Sequence, residues 1–100
     1  MIRNVVVGRV HAGTSREDVE RALAAIRALR VDGVAYELVA GRDVGLRDGN
    51  ASYAITVDLA DEEAYRAYDA DAEHNRIRRE LFAPISERIE RVQFVVPDPA

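Results

Sequence analysis

The sequence contains no cysteine, which excludes disulfide bonds, a thiol nucleophile and a thiolate metal site. No apolar run approaches the ~20 residues that a membrane-spanning helix needs. Residues 1–5 have the pattern of a strand and lack the apolar segment and cleavage site of a signal peptide. These absences predict a cytoplasmic protein with no membrane partner.

The chain has no excess of positive charge, because 14 basic residues are outnumbered by 18 acidic ones and the formal net charge is −4. The densest basic group, Arg76, Arg78 and Arg79, lies among acidic residues, whereas nucleic-acid-binding proteins present a basic patch. We therefore expect no nucleic-acid partner. Two distant histidines without cysteine match no standard zinc spacing, and a glycine-rich phosphate loop and a Ser-His-Asp arrangement are both missing. The sequence predicts neither a metal nor a cofactor.

The composition that remains is that of a globular protein, with 48% hydrophobic and 32% charged residues. One hundred residues correspond to one domain, which we place at 1–97, followed by a short C-terminal tail at 98–100. A chain of this size buries only about two thirds of the surface that its unfolded form exposes. A second copy covering more apolar surface would therefore stabilise it.

Four segments have the pattern of β-strands. Residues 2–10 are rich in valine on both faces, which favours a sheet covered on both sides. Residues 34–40 and 53–59 alternate between apolar and polar side chains. Residues 91–96 form the last predicted strand.

Helical patterns lie between these strands. Ser15 is placed to cap a first helix that Asp32 and Gly33 end. Its apolar stripe has helical spacing and consists of Val19, Ala22, Leu23, Ile26 and Leu29.

Two acidic residues mark the helices of the second half. Asp61 is placed to cap a short helix that runs through Tyr68, and Asp71 to cap another that starts at about Ala72. Pro84 kinks or ends this last helix, because proline lacks the backbone N–H.

The order β-α-β-β-α-(α)-β predicts an α+β fold, the ferredoxin-like split βαβ arrangement with a four-stranded antiparallel sheet and helices on one face. We expect Val5, Val7, Val39 and Val95 to face away from the helices. These residues favour a homodimer that packs sheet against sheet about a two-fold axis. The alternative is a monomer with a few exposed valines.

Three pieces of the sequence resemble the stress-responsive A/B barrel (Dabb) family. They are the opening residues 1–6, the Gly-Arg-Asp-Val stretch at 41–44, and the spacing of Tyr68 and His74 before the last helix. The resemblance covers essentially the whole chain and implies a dimeric α+β barrel with a cavity in each protomer, between helices and sheet. Asn4 and Asp71 stand where the family often has histidine, so a site that needs several imidazoles is not expected.

His74 is the main catalytic candidate by residue type, because imidazole exchanges protons near neutral pH. Its helical spacing with Ile77 and Leu81 directs it inward. Tyr68 is close to it in sequence and could hold a substrate carbonyl. The alternative for His74 is local capping or packing, and for Tyr68 it is packing in the core with the hydroxyl at its rim.

Three further residues are candidates for substrate binding. Tyr53 and Tyr36 lie on adjacent strands, Asn4 is expected beside them, and together they could line a pocket for a phenolic or polyketide-like ligand. Ordinary sheet packing is the alternative for the two tyrosines.

The resemblance implies two functions. In the first, the chain is a cofactor-independent enzyme similar to polyketide cyclases, with His74 as general base and Tyr68 positioning the substrate for an intramolecular aldol condensation. In the second, it is a non-enzymatic dimer that is stress-associated or binds an apolar ligand. A heme-handling or monooxygenase relative is disfavoured, because it would need a second well-placed histidine.

Overall fold

The computed structural model describes residues 1–97, and the tail predicted at 98–100 lies outside the described residues. Four strands form one antiparallel sheet in the order β2-β3-β1-β4. They are β1 (Ile2–Val10), β2 (Tyr36–Arg42), β3 (Tyr53–Leu59) and β4 (Ser86–Val95). The helices are α1 (Arg16–Ala28), α2 (Glu62–Ala70) and α3 (Ala72–Ile77), which continues into a π-helical turn at Arg78–Phe82. The predicted ferredoxin-like α+β fold is confirmed.

Each α-helix starts at the cap that the sequence predicts. Ser15, Asp61 and Asp71 each accept a hydrogen bond from the backbone N–H three residues later, at distances of 3.1, 2.8 and 2.9 Å. These bonds satisfy amide groups that the first turn of a helix leaves without a partner. None of the helices in residues 1–97 has the length and apolar character needed to cross a membrane.

The first helix is shorter than predicted, because it ends at Ala28 rather than at residues 32–33. Leu29 has an extended backbone (φ −59°, ψ 137°) while its side chain remains buried. Its carbonyl oxygen accepts a hydrogen bond of 2.6 Å from the Tyr36 hydroxyl. The apolar stripe therefore continues past the end of the helix, and strand β2 starts at Tyr36, two residues later than predicted.

The last strand is longer than predicted and starts at Ser86 instead of residue 91. It pairs with β1 along its whole length, with a register shift near Arg9 and Val10. Strand β4 is an edge strand with mostly exposed side chains. The first half of such a strand lacks the apolar alternation by which strands are recognised.

One face of the sheet packs against the helices and forms the core. Val57 and Leu59 are almost completely buried there, against Leu23 and Ile26 of α1 and Ile77 of α3. The opposite face, which we call the outer face, is covered by no element of residues 1–97.

The register places an apolar row across the middle of the outer face. Val39, Thr56, Val5 and Val92 lie side by side, one from each strand. Val39 and Val92 are 71% and 56% exposed. The predicted orientation of Val5, Val7 and Val39 agrees with the strand register.

Val95 does not lie on the outer face, and its predicted orientation was wrong. It pairs with Ile2, which pairs in turn with the buried Leu59 of β3 on the side of the sheet that faces the helices. Val95 is nevertheless 72% exposed, because it lies at the end of the edge strand. Phe94, the residue before it, is the one directed outward.

Position 8 of β1 accepts only glycine, because the ring of Tyr53 on β3 lies directly against its backbone. A Cβ atom at position 8 would overlap the ring of Tyr53, which is buried and hydrogen-bonded to Ser86. Replacement of Gly8 by alanine should destabilise the fold by about 1–3 kcal/mol, the usual cost of overpacking. For a domain of this size that corresponds to a decrease in melting temperature of roughly 4–8 °C per kcal/mol, measurable by thermal unfolding.

Gly41→Ala is the matched control, since a Cβ on this β2 glycine meets no atom within 4 Å. Its melting temperature should remain close to that of the unmodified chain. If the two variants were destabilised equally, the loss would come from glycine itself and not from contact with Tyr53.

Candidate functional site

A cavity of about 480 Å³ lies between the helices and one side of the sheet. Strands β1, β3 and β4 form its floor, and the end of α2, α3 and the π-helical turn form its wall, with one contribution from α1. Apolar side chains from both layers line it: Val6, Ile26, Ile55, Phe82 and Ile89. Ile89 and Arg91, the lining residues from the edge strand β4, are exposed, so the cavity is open to solvent on that side.

His74 lines this cavity and is 7% exposed. Asp71 fixes its position, because the Asp71 carboxylate caps α3 by accepting the backbone N–H of His74. The Nδ1 atom of the ring is buried without a hydrogen-bond partner in residues 1–97.

The surroundings of His74 favour its neutral form. Burial lowers the pKa of His74 below the ordinary value of 6.5, and the nearby positive charge of Arg78 lowers it further. A backbone group of Asp69 and the carboxylates of Asp69 and Asp71 act in the opposite direction but do not reverse the change. A neutral imidazole at pH 7 can accept a proton from a substrate.

Tyr68 lies directly against His74, with ring centroids 4.3 Å apart. It is 2% exposed and also lines the cavity. Burial raises the pKa of Tyr68 well above its ordinary value, and the neighbouring Tyr36 adds to this effect. The phenol therefore stays protonated over the whole physiological range and can act only as a neutral hydrogen-bond donor or acceptor.

Asn4 lies on the floor of the cavity and is almost fully buried. Its Oδ1 atom accepts a hydrogen bond of 2.7 Å from Gln93 on the adjacent strand. This bond fixes the orientation of the Asn4 amide, so its N–H groups are the donors that remain for a ligand.

The structure thus brings three of the five sequence-predicted site residues together at one cavity: His74, Tyr68 and Asn4. Tyr36 and Tyr53 do not line it. Tyr36 packs edge-on against the far side of Tyr68 and donates its hydroxyl to the Leu29 carbonyl. Tyr53 is buried beside Phe82 and is hydrogen-bonded to Ser86 at 2.8 Å.

The structure also places at the cavity several polar and charged residues that the sequence did not indicate as site residues. Asp69, Asn75 and Arg78 form a polar group beside His74, in which Arg78 contacts Asp69 at 3.5 Å and Asn75 at 3.2 Å. Arg79 and Arg91 line the cavity as well. Arg78 follows His74 by four residues, a helical spacing that puts both on one side, whereas no sequence pattern indicates that Arg91 of the edge strand reaches the cavity.

A metal site is not apparent in the described part of the chain. In residues 1–97, no three histidine or acidic side chains come together where an ion could bind.

A protein-family model described as "Stress responsive A/B Barrel Domain" (Dabb) matches residues 2–96. No curated protein matches the sequence significantly. Among solved structures, a dimeric ferredoxin-like protein of unknown function from Thermobifida fusca is 26% identical with a TM-score of 0.83, and the match covers 95% of this chain and 90% of that one.

Two enzymes are also similar in structure. A hydroxynitrile lyase from Passiflora edulis is 16% identical with a TM-score of 0.81, covering 99% of this chain and 95% of its own. A cofactor-independent oxygenase from Streptomyces nogalater is 23% identical with a TM-score of 0.66, covering 98% and 94%. At these identities the two matches establish a common fold and no more.

Proposed function

Since this chain belongs to the stress-responsive A/B barrel (Dabb) family, we propose that it binds a small molecule in the cavity beside His74 and catalyses a cofactor-independent proton transfer there. The observation that carries the proposal is a buried imidazole with a lowered pKa, which lines a cavity of about 480 Å³ against a buried phenol. The reaction that fits these groups is the intramolecular aldol condensation of a polyketone.

His74 acts as the general base in this reaction. Its Nε2 atom removes a proton from a carbon next to a carbonyl, which leaves an enolate. The enolate carbon attacks a second carbonyl of the same molecule, so that a carbon–carbon bond forms and the carbonyl becomes an alkoxide. The imidazolium returns its proton to that alkoxide, which gives a cyclic β-hydroxy ketone, and the loss of water from this adduct completes the condensation. No oxidant, reductant or cofactor is consumed.

Tyr68 and Asn4 hold the substrate and its developing charge. A phenol that stays protonated can donate a hydrogen bond to the enolate oxygen, and so can the N–H groups of the Asn4 amide. The apolar wall around Phe82 holds the flexible chain in a folded geometry, which supplies part of the rate by bringing the reacting carbons together.

Enzymes with this fold are consistent with such a role. The similar structures include a hydroxynitrile lyase and an oxygenase described as cofactor-independent. Both support the view that this scaffold can host catalysis, in the oxygenase without a cofactor, and neither identifies the substrate of this chain.

The functional unit that we propose is a homodimer that packs through the outer face. The apolar row of Val39, Thr56, Val5 and Val92 would then be buried between two sheets. Monomeric proteins of this size rarely leave a contiguous apolar face open to water. The similar protein from Thermobifida fusca is described as dimeric.

An NMR titration of His74 tests the proposed site. Because burial and Arg78 disfavour the imidazolium, the measured pKa of His74 should lie below 6.5. Phenolic or polyketone ligands that enter the cavity should shift the His74 resonances. The exposed His11, in the turn after β1, supplies a signal in the same spectrum that should not respond.

An ordinary pKa for His74 that no ligand alters would contradict the proposal. If a ligand shifts the His74 signals but is recovered unchanged, the chain is a non-enzymatic binding protein with the same cavity.

A further inference from the structure

The charge of the cavity is opposite to that of the whole chain. Its wall contains three arginines, Arg78, Arg79 and Arg91, and one carboxylate, that of Asp69. His74 adds no charge, because its lowered pKa keeps the ring neutral. The cavity is therefore positive in a protein whose net charge is −4.

Most arginines of the described chain have an acidic partner, but two of the three in the cavity do not. Arg76 bridges Glu73 and Glu80, Arg3 pairs with Asp58, and Arg78 contacts the only carboxylate of the cavity. In residues 1–97, neither Arg79 nor Arg91 forms an ion pair or a side-chain hydrogen bond. Their guanidinium groups are available to a ligand.

The two arginines reach the cavity from opposite layers. Arg79 belongs to the π-helical turn, whereas Arg91 is on the helix-facing side of β4, opposite Val6 in the register. The rest of the lining is largely apolar and includes Phe82 and Ile89. A ligand that satisfies both features has an apolar or aromatic body and an anionic group at the open side of the cavity.

We propose that the cavity selects a carboxylate-bearing ligand, and that Arg91 and Arg79 bind its carboxylate while the apolar body lies against Phe82 and Ile89. A guanidinium group matches a carboxylate with two parallel N–H donors, which gives orientation as well as affinity. This inference rests on the proposed function and specifies its substrate class. With the carboxylate held at the edge strand, the body of the ligand extends toward His74 and Tyr68.

A matched pair of probes tests this inference: a naphthalene carboxylate and the corresponding neutral carboxamide. Binding is measured by calorimetry and by the NMR signals of His74. The carboxylate should bind about tenfold more tightly than the amide, as one or two partly exposed charge-assisted hydrogen bonds allow. Its negative charge should also raise the pKa of His74, which the amide should not do.

Substitution of Arg91 separates the contribution of ligand charge to the affinity from the contribution of ligand shape. Arg91→Gln should remove most of the preference for the carboxylate and leave the affinity for the amide unchanged. Arg21→Gln is the control, because it removes the same charge from the surface of α1, where Arg21 pairs with Asp18 outside the cavity.

The outcomes distinguish this inference from the proposed function. If both probes bind equally and both alter the His74 signals, the proposed preference for a carboxylate is wrong, but the cavity is still a ligand-binding site. If neither probe alters His74, the inference and the proposed site both fail. A carboxylate preference that persists in Arg91→Gln and disappears in Arg21→Gln would also overturn the assignment.

Discussion

Replacement of His74 by glutamine should lower the rate of polyketone cyclisation by about 10²–10⁴-fold, the contribution of a positioned general base. Glutamine preserves much of the volume and one hydrogen-bonding nitrogen, but it cannot accept a proton at neutral pH. Ligand affinity should change little, because Phe82 and the rest of the apolar lining remain. Product formation by chromatography and ligand binding by calorimetry measure the two quantities separately.

The pH dependence of the wild-type rate gives a second test of the same role. A base works only when it is unprotonated, so the rate should rise with pH through the pKa of His74 and then become constant. Because burial and Arg78 lower that pKa below 6.5, the plateau should be reached at a lower pH than an exposed imidazole would give. The rate should fall when the solution is acidified further, and this acid limb should be absent from His74→Gln.

His11→Gln is the control for His74→Gln. His11 is exposed in the turn after β1, and its described contacts are made by the backbone. The control should retain the full rate and the same pH profile. Equal turnover in His74→Gln and the unmodified protein would remove His74 from the mechanism and leave only a ligand-binding cavity.

The sequence predicted the pairing of His74 and Tyr68 because both positions depend on local rules. Asp71 caps α3, which fixes where the helix begins and therefore where its third residue points. Tyr68 is in the last turn of the preceding helix, so the short connection brings the two rings together. Capping and helical spacing are properties of neighbouring residues, which a sequence contains directly.

The positions of Tyr36 and Tyr53 depend on tertiary packing, and the sequence could not predict them fully. Alternation along a strand correctly assigns both to the helix-facing side of the sheet. It does not indicate which helix lies above each residue. Tyr36 is covered where α1 ends, and Tyr53 is covered by Phe82 and seated on Gly8, so neither ring reaches the cavity.

The sequence did not indicate Arg91 as a residue of the cavity, and the reason again lies in tertiary structure. The sequence predicted that β4 starts at this residue, whereas the strand starts at Ser86 and brings Arg91 into its middle. Its opposite neighbour in the sheet is Val6, which is distant in sequence. A binding residue on a polar edge strand has no apolar pattern around it, so only the strand pairing reveals where it lies.

Introduction of aspartate at Val92 should convert the proposed dimer into a monomer. Val92 ends the apolar row of the outer face and is 56% exposed in the single chain, so the substitution leaves the core untouched. A two-fold interface contains every substitution twice, and an unpaired buried carboxylate costs several kcal/mol. The dissociation constant of the dimer should rise by at least about 100-fold, since each 1.4 kcal/mol corresponds to a factor of ten.

Val95→Asp is the matched control on the same strand. Val95 is 72% exposed but lies on the helix-facing side, where its neighbour on β1 is Ile2. Light scattering coupled to size-exclusion chromatography should find Val92→Asp as a monomer and Val95→Asp as a dimer, with equal helical content by circular dichroism. The reverse result would place the interface along the edge strand and over the opening of the cavity. In that arrangement the partner chain would determine which ligands reach His74.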